Sequence, residues 1–319
     1  MVLSIEMNRT FASIDLGSHT ARLLIARRTL GSTISPLFRS RKYVRLAEDF
    51  GRFGDRLLTS EAMDRAVGVM DDFSRVIHRF QADHTFAVAT GVVRDSKNAD
   101  QLLNGIMKSS GIVVHVVSGE KEALLSGMGA VRSLGIPQVS YLVFDLGGGS
   151  TEFVRRGCDG VDAKSLPMGA VGLWRKYAKV DPLLHTQMAA ICSETDLHMQ
   201  QAPLHPIAHE LIIGTGGTVV SLAAMNHGIS GDDIVPETMN GLPLRLEEIE
   251  AAFRAMNAMP LAERMHRFGL EPERAEVILA GSLMVIRIMR HLKVRRLLVS
   301  MSDLLEGILF DFMEGEQHA

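Results

Sequence analysis

FDLGGGSTEF, residues 144–153, sets three consecutive glycines between an apolar run and a Ser-Thr-Glu. Glycine loses more conformational freedom on folding than any other residue, so three in a row at a strand end need a reason. The residues before them, from Tyr141, have the composition of a buried strand. A turn built from Gly147, Gly148 and Gly149 lets successive backbone N–H groups aim at one anion. Ser150 and Thr151 add hydroxyl donors. Asp145 and Glu152 add hard carboxylate oxygens of the kind that hold Mg²⁺, or Mn²⁺ in its place, against a phosphate. The plainer alternative is a β-hairpin with a glycine turn.

Outward from this stretch, the pattern repeats. Phe11 opens FASIDLGSHT and Tyr141 opens YLVFDLGGGST. Each is an apolar strand, then Asp-Leu-Gly, then a small polar turn and a second strand-like run. Asp15 and Asp145 lie 130 positions apart. A repeat on that scale predicts two similar domains facing one another. A third glycine turn, with Gly214, Gly216 and Gly217, follows the strand-like LIIGT and precedes a helix-like VVSLAAM. Such a turn is either an anion site at a helix start or ordinary strand–helix packing.

Further apolar β-type runs begin at Ala21, Thr85, Ile112 and Arg296, with longer helical patterns between them. SEAMDRAVGVMDDFSRVIHRF predicts a helix with Ser60 as N-cap and a buried stripe of Met63, Val67, Met70, Phe73 and Ile77. PERAEVILAGSLMVIRIMRHL predicts a long buried helix. Strands alternating with helices predict an α/β protein with mixed or parallel sheets. The chain of 319 residues is 46% hydrophobic and 22% charged, which permits a large core and argues against wholesale disorder.

The net charge of −3 is not that of a general nucleic-acid or membrane-surface binder. A polyanion must then be met by local positive charge. RSRKYVR, with Arg39, Arg41, Lys42 and Arg45, is a candidate track, against the plainer reading of a solvated strand. Cys158 and Cys192 fit no disulfide framework or metal spacing, so a reducing cytoplasm is expected. No signal peptide is read at the N-terminus. The apolar stretch near Leu279 is interrupted by Arg287, Arg290, Lys293, Arg295 and Arg296, so no membrane span is expected. His205 and His209 share an i, i+4 spacing, but no third ligand accompanies them and zinc is not expected.

IDLGSHTARLLIA, ATGVVRDSKNA, VVSGEKEALLSG, FDLGGGSTEF and GTGGTVVSLA occur in that order along the chain. Together they resemble the exopolyphosphatase/guanosine pentaphosphate phosphatase family, within the actin-like ATPase and sugar kinase superfamily. The resemblance runs from about Phe11 to Phe310. It implies two ribonuclease-H-like domains with the active site in the cleft between them. Residues 1–125 with 302–319 would form one domain, because the last helix returns to it, and residues 126–301 the other. The short, two-domain form of the family is expected, as a homodimer.

The resemblance also assigns roles. Glu122 becomes the general base that takes a proton from the attacking water; the composition of SGEKEALL alone reads as an ordinary acidic first helical turn. Arg94 becomes the arginine that grips phosphate and stabilises charge in transfer. Asp15, Gly17 and Ser18 on one side, and Asp145 with Gly147 to Thr151 on the other, become phosphate turns, with Glu152 positioning water or metal; beyond the resemblance, Asp145 is expected as the direct metal ligand. The implied substrate is inorganic polyphosphate, losing one terminal phosphate at a time, or guanosine pentaphosphate converted to the tetraphosphate.

The chain departs from the family pattern at four places. His19 and Thr20 replace an Asn-Ser, Leu124 replaces an arginine after Glu122-Ala123, Ser300-Met301-Ser302 stands for a Ser-Asp-Gly segment, and Leu305 replaces the arginine before Glu306-Gly307. Two rivals remain open on sequence. One is an actin-like ATPase or sugar kinase, against which the setting of Glu122 argues. The other is a polyphosphate- or alarmone-binding protein without turnover.

Overall fold

The computed structural model describes residues 9–29, 33–48, 50, 55–136, 140–157, 160–201 and 210–318, with side chains to 315. His205, His209 and Cys158 lie outside the described residues. The chain divides into two compact units, Met1–Gly129 with Leu304–Ala319, and Ala130–Asp303.

In the first unit, five strands form one sheet: β1 (Thr10–Leu16), β2 (Thr20–Arg28), β3 (Ile34–Tyr43), β4 (His84–Ala89) and β5 (Val114–Val116). Their order is β3-β2-β1-β4-β5. β1 pairs antiparallel with β2 and parallel with β4. All seven residues of β1 are buried, because both faces of the sheet are covered. Alternation sends Ala12, Ile14 and Leu16 to one face, with Met70 and Phe73 of the helix Ser60–Arg79. Phe11 faces the other way, against Leu305 and Leu309 of the helix Leu304–His318. Ser13 shares that face, since its Oγ donates to the carbonyl of Leu305 at 2.9 Å. By the same alternation Asp15 points to this side.

The helix Ser60–Arg79 differs in detail from its sequence pattern. Thr59, not Ser60, is the N-cap, and its side chain accepts the amide of Ala62. The fully buried positions are Ala62, Ala66, Met70, Phe73 and Ile77, with Met63 and Val67 packed at the margin. Over the first two turns the buried stripe runs through the small alanines Ala62 and Ala66, one residue before Met63 and Val67.

The second unit contains β6 (Tyr141–Leu146), β7 (Thr151–Gly157), β8 (Gly160–Leu166), β9 (Leu211–Thr215), β10 (Pro243–Arg245) and β11 (Arg296–Val299). Their order is β10-β11-β9-β6-β7-β8. β6, β7 and β8 form an antiparallel meander, β6 runs parallel to β9, and β9 runs parallel to β11. The arrangement reproduces that of the first unit, with β10 added at one edge. Both units therefore have ribonuclease-H-like topology. The helix Pro272–His291 is the apolar centre of the second unit. Nearby, the fully buried Arg264 is matched by Asp181, with Nη1–Oδ2 at 3.0 Å and Nη2–Oδ1 at 2.6 Å. That pairing answers the cost of burying its charge. Among the described residues, no helix is long and apolar enough to cross a membrane.

Candidate active site

The first turn, between β1 and β2, is closed by the amide of Gly17 donating to the carbonyl of Thr20 at 3.0 Å. The second, between β6 and β7, is closed the same way, Gly147 to Ser150 at 3.0 Å. The two turns thus repeat in hydrogen bonding as well as in sequence. Their charges differ. Asp15 faces Arg22 across the first pair of strands, and Asp145 faces Glu152 at the same offset across the second. Arg22 Nε and Nη2 donate to Asp15 Oδ2 at 2.9 and 2.8 Å. An arginine thus pairs with the aspartate at the base of the first turn, and the second turn sets Asp145 and Glu152 side by side on one sheet face.

Around the first turn, Ser18 Oγ accepts the amide of Val92 at 3.0 Å. Gly91 lies directly over it, with φ +52°, and an added Cβ would stand 2.1 Å from Ser18 Oγ. A side chain at position 91 would be strained by the positive φ and would push Ser18 Oγ from its place. The loop then enters the short helix Val92–Asp95, which carries Arg94.

Arg94 meets Glu122. Its Nη1 donates to Glu122 Oε2 at 3.0 Å and reaches the carbonyl of Val117 at 3.4 Å. Glu122 sits in the first turn of the helix Gly119–Ser133 and is only 8% exposed. Burial pushes its carboxyl up from 4.5 to about 7, and the negative charge of Asp15 adds to the rise. Hydrogen bonds and charge from Arg94, and a hydrogen bond from Thr90, work the other way. The result is a buried carboxyl that exchanges its proton near neutrality, which the residue type and spacing of SGEKEALL do not reveal.

A stability consequence follows. Between about pH 4.5 and pH 7 the folded protein keeps a proton on Glu122 that the unfolded chain has released. Stability from this group therefore falls as pH rises through that window and levels off above it. The full change is on the order of 3 kcal/mol. Urea denaturation across pH 4.5–8 should show this decline in the wild type and a flatter profile in Glu122→Gln.

The structure does not gather the four cations of the basic stretch on one face. Arg39 pairs with the buried Glu306, and Lys42, on the opposite side of β3, pairs with Asp72. The Lys42 and Arg75 side chains hold the Asp72 carboxyl below its usual range. Arg41 lies over the Tyr43 ring, 5.7 Å from its centroid, and Arg45 follows the strand with φ +49°. The departures also have places. His19 meets Tyr43 edge-on, with centroids 5.6 Å apart. Leu124 is exposed, and Leu305 is buried against Phe11 and Leu24.

In the second turn, the carbonyl of Gly147 accepts Ala170 N at 3.0 Å, and that of Gly148 accepts Val171 N and Gly172 N at 3.0 and 3.1 Å. These donors open the helix Ala170–Tyr177. In a trans peptide the C=O and the following N–H point in opposite directions. With both carbonyls turned into the helix start, the amides of Gly148 and Gly149 point away from it, as an anion nest needs. Thr151 Oγ1 donates to the carbonyl of Met168 at 2.7 Å, which ties this hydroxyl to the fold. Gly169, ahead of the helix, presses on the turn: an added Cβ would lie 2.3 Å from Gly148 C and 2.4 Å from Gly149 N.

Asp145 is partly exposed, while Glu152 is buried and accepts Ser165 Oγ at 2.7 Å. Asp145 also lies opposite Thr215 on β9. Two carboxylates directly opposed across a strand pair offer the oxygen ligands that a hard cation takes. Among the described residues no group of three or more His, Cys, Asp or Glu forms a metal cluster. A cation here would take its remaining ligands from water and phosphate, as Mg²⁺ does.

The third glycine turn has packing reasons of its own. A Cβ on Gly214 would meet Phe144 Cζ at 2.9 Å, and one on Gly217 would meet Arg274 Nη2 at 1.9 Å. Gly216, with φ +95°, lies against the carbonyl oxygen of Leu146 and near Asp145 Oδ1. Thr90, Gly91, Gly169 and Arg22 escaped the sequence reading. The signal in TGV and MGA is a lone glycine, and its cause is a neighbour far away in sequence.

The model of the Ppx/GppA phosphatase family matches residues 24–316. Exopolyphosphatase 1 of Mycobacterium tuberculosis (strain ATCC 25618 / H37Rv) is 27% identical over 312 residues, covering 95% of this chain and 88% of that protein. The crystal structure of the Aquifex aeolicus Ppx/GppA family member superposes with a TM-score of 0.83 at 28% identity, covering 98% of this chain and 99% of that one. A Cytophaga hutchinsonii exopolyphosphatase gives a TM-score of 0.85 at 25% identity, covering 96% and 98%.

Proposed function

This chain belongs to the Ppx/GppA phosphatase family, and on that premise we propose that it is an exopolyphosphatase, releasing the terminal phosphate of inorganic polyphosphate by attack of water. The observation that carries the reading is the buried Glu122 carboxyl, titrating near 7 and held by Arg94 at 3.0 Å. A general base works best when its proton affinity matches the working pH. The water oxygen bonds to the terminal phosphorus, the bridging P–O bond breaks, and orthophosphate leaves. Glu122 takes the water proton and later passes it to solvent. Arg94 orients the carboxylate and presents its remaining donors to the phosphoryl oxygens.

The amides of Gly148 and Gly149, with the Ser150 hydroxyl, hold phosphate oxygens at the second turn. Gly17 and Ser18 form the corresponding part of the first. Asp145, opposite Glu152, would hold Mg²⁺ or Mn²⁺, which supplies positive charge to neutralise the phosphates. The choice of polyphosphate is supported by two of these similar proteins, the Mycobacterium tuberculosis and Cytophaga hutchinsonii ones, which are named exopolyphosphatases.

The test is phosphate release with Mg²⁺ from polyphosphate and from guanosine pentaphosphate in parallel. Faster turnover of polyphosphate is expected. A preference for the nucleotide would move the assignment to guanosine pentaphosphate hydrolysis. Binding of either substrate without release would make the chain a binding protein.

A further inference from the structure

Glu122 and Asp15 lie on different elements, the helix Gly119–Ser133 and the strand β1, and their charges are coupled. Something must fix the spacing between those elements. The helix Leu304–His318 touches both. Ser13, two residues before Asp15, donates its hydroxyl to the carbonyl of Leu305 at 2.9 Å. Lys121, next to Glu122, reaches both carboxylate oxygens of Asp311 at 2.8 and 2.9 Å. Leu304 and Ile308 share an apolar cluster with Leu125 and Val88.

Gly307 makes the tightest of these contacts. An added Cβ would stand 1.9 Å from the carbonyl oxygen of Leu125, 2.5 Å from its carbon and 3.1 Å from its Cα. All three are backbone atoms one turn beyond Glu122, so no side-chain rotation relieves the clash. The two helices approach this closely only because position 307 lacks a side chain. Arg39 fixes the neighbouring residue, Glu306, from β3.

We propose that the helix Leu304–His318 is the brace that sets where Glu122 sits against Asp15, and that Gly307 is the positioning residue of this brace. The inference rests on the reading of Glu122 as general base for its meaning, but its test does not depend on turnover. The groups around Glu122 are Asp15 on β1, Arg94 on the helix Val92–Asp95 and Thr90 on the loop between β4 and that helix. Pushing the helix Gly119–Ser133 off its brace admits water beside Glu122 and separates it from Asp15. Both changes favour the charged form, and because burial and then Asp15 are the largest influences on Glu122, their relief outweighs any loosening of the Arg94 bond.

The experiment is a carboxyl ¹³C NMR titration of Glu122, with its resonance identified by its loss in Glu122→Gln. In Gly307→Ala the titration midpoint should fall by about one pH unit or more, and the acid limb of kcat/KM should move with it. An unchanged midpoint overturns the proposal. If Gly307→Ala does not fold, Ile308→Val loosens the same cluster more gently and should move the midpoint in the same direction by less. Its midpoint too would have to stay still for the proposal to fall in that case. Phe73→Leu is the control, because Phe73 packs on the opposite face of the sheet from the helix Leu304–His318, with Ala12, Ile14 and Leu16. It should lower Tm and leave the Glu122 midpoint in place. An equal shift there would mean general loosening and would also sink the proposal. Failure of the general-base reading looks different: Glu122→Gln would keep its turnover while the titration results stood.

Discussion

Replacing Glu122 by Gln should lower phosphate release by roughly 100- to 10,000-fold, the usual contribution of a positioned general base. The substitution keeps the shape of the side chain and an oxygen for Arg94 Nη1, which now lies 3.0 Å from Glu122 Oε2. It removes the one function that Gln cannot perform, acceptance of a proton. KM should stay within about threefold, because the phosphate turns are untouched. The pH profile supplies the sharper test. With a carboxyl titrating at about 7, only the deprotonated fraction is active, so wild-type kcat/KM should climb about tenfold per pH unit below 7 and flatten above it. The residual activity of Glu122→Gln should lack that acid limb. A variant that keeps both its rate and its limb would assign the base elsewhere.

The fold could be read from the chain because its signals are local. The run FASIDLG and the run YLVFDLG each form the central strand of a sheet, and the 130-residue offset between them reappears as identical turn closures, Gly17 to Thr20 and Gly147 to Ser150. Short apolar strands announce themselves within a few residues. The chemistry of the site was less legible for a physical reason: it depends on burial and on partners distant in sequence. Nothing in SGEKEALL says that Glu122 lies beneath Arg94 and beside Asp15. RSRKYVR reads as a basic strip, yet Arg39 is matched by a glutamate 267 positions on and Lys42 by an aspartate on the other face of its strand. The glycines divide the same way. Gly147 to Gly149 stand out as a run, whereas Gly91, Gly169 and Gly307 are single letters whose meaning is a backbone or hydroxyl brought in by the fold.

Gly169→Ala should reduce kcat/KM by about 100-fold, since a displacement of roughly 1 Å at a positioning element can cost that much. The backbone at Gly169 is ordinary, with φ −143°, so any residue could adopt it. Only contact forbids a side chain. The added Cβ would fall 2.3 Å from Gly148 C, 2.4 Å from Gly148 O and 2.4 Å from Gly149 N. Backbone atoms cannot rotate away, so either the start of the helix Ala170–Tyr177 or the turn itself must shift. That helix start donates to the carbonyls of Gly147 and Gly148, and those bonds are what turn the amides of Gly148 and Gly149 outward. Moving either partner rotates the amides off a phosphate. The loss should therefore appear in the binding of a short, non-hydrolysed polyphosphate analogue as well as in turnover, with the circular dichroism spectrum retained. Gly172→Ala tests the same helix with the opposite expectation. Its Cβ would lie 4.0 Å from Gly148 O, an ordinary van der Waals contact, and its amide would still donate to that oxygen. Near-wild-type kinetics at position 172 alongside a collapse at 169 would tie the phosphate turn to the close approach of Gly169. Equal, small effects at both positions would mean that the turn does not hold the substrate.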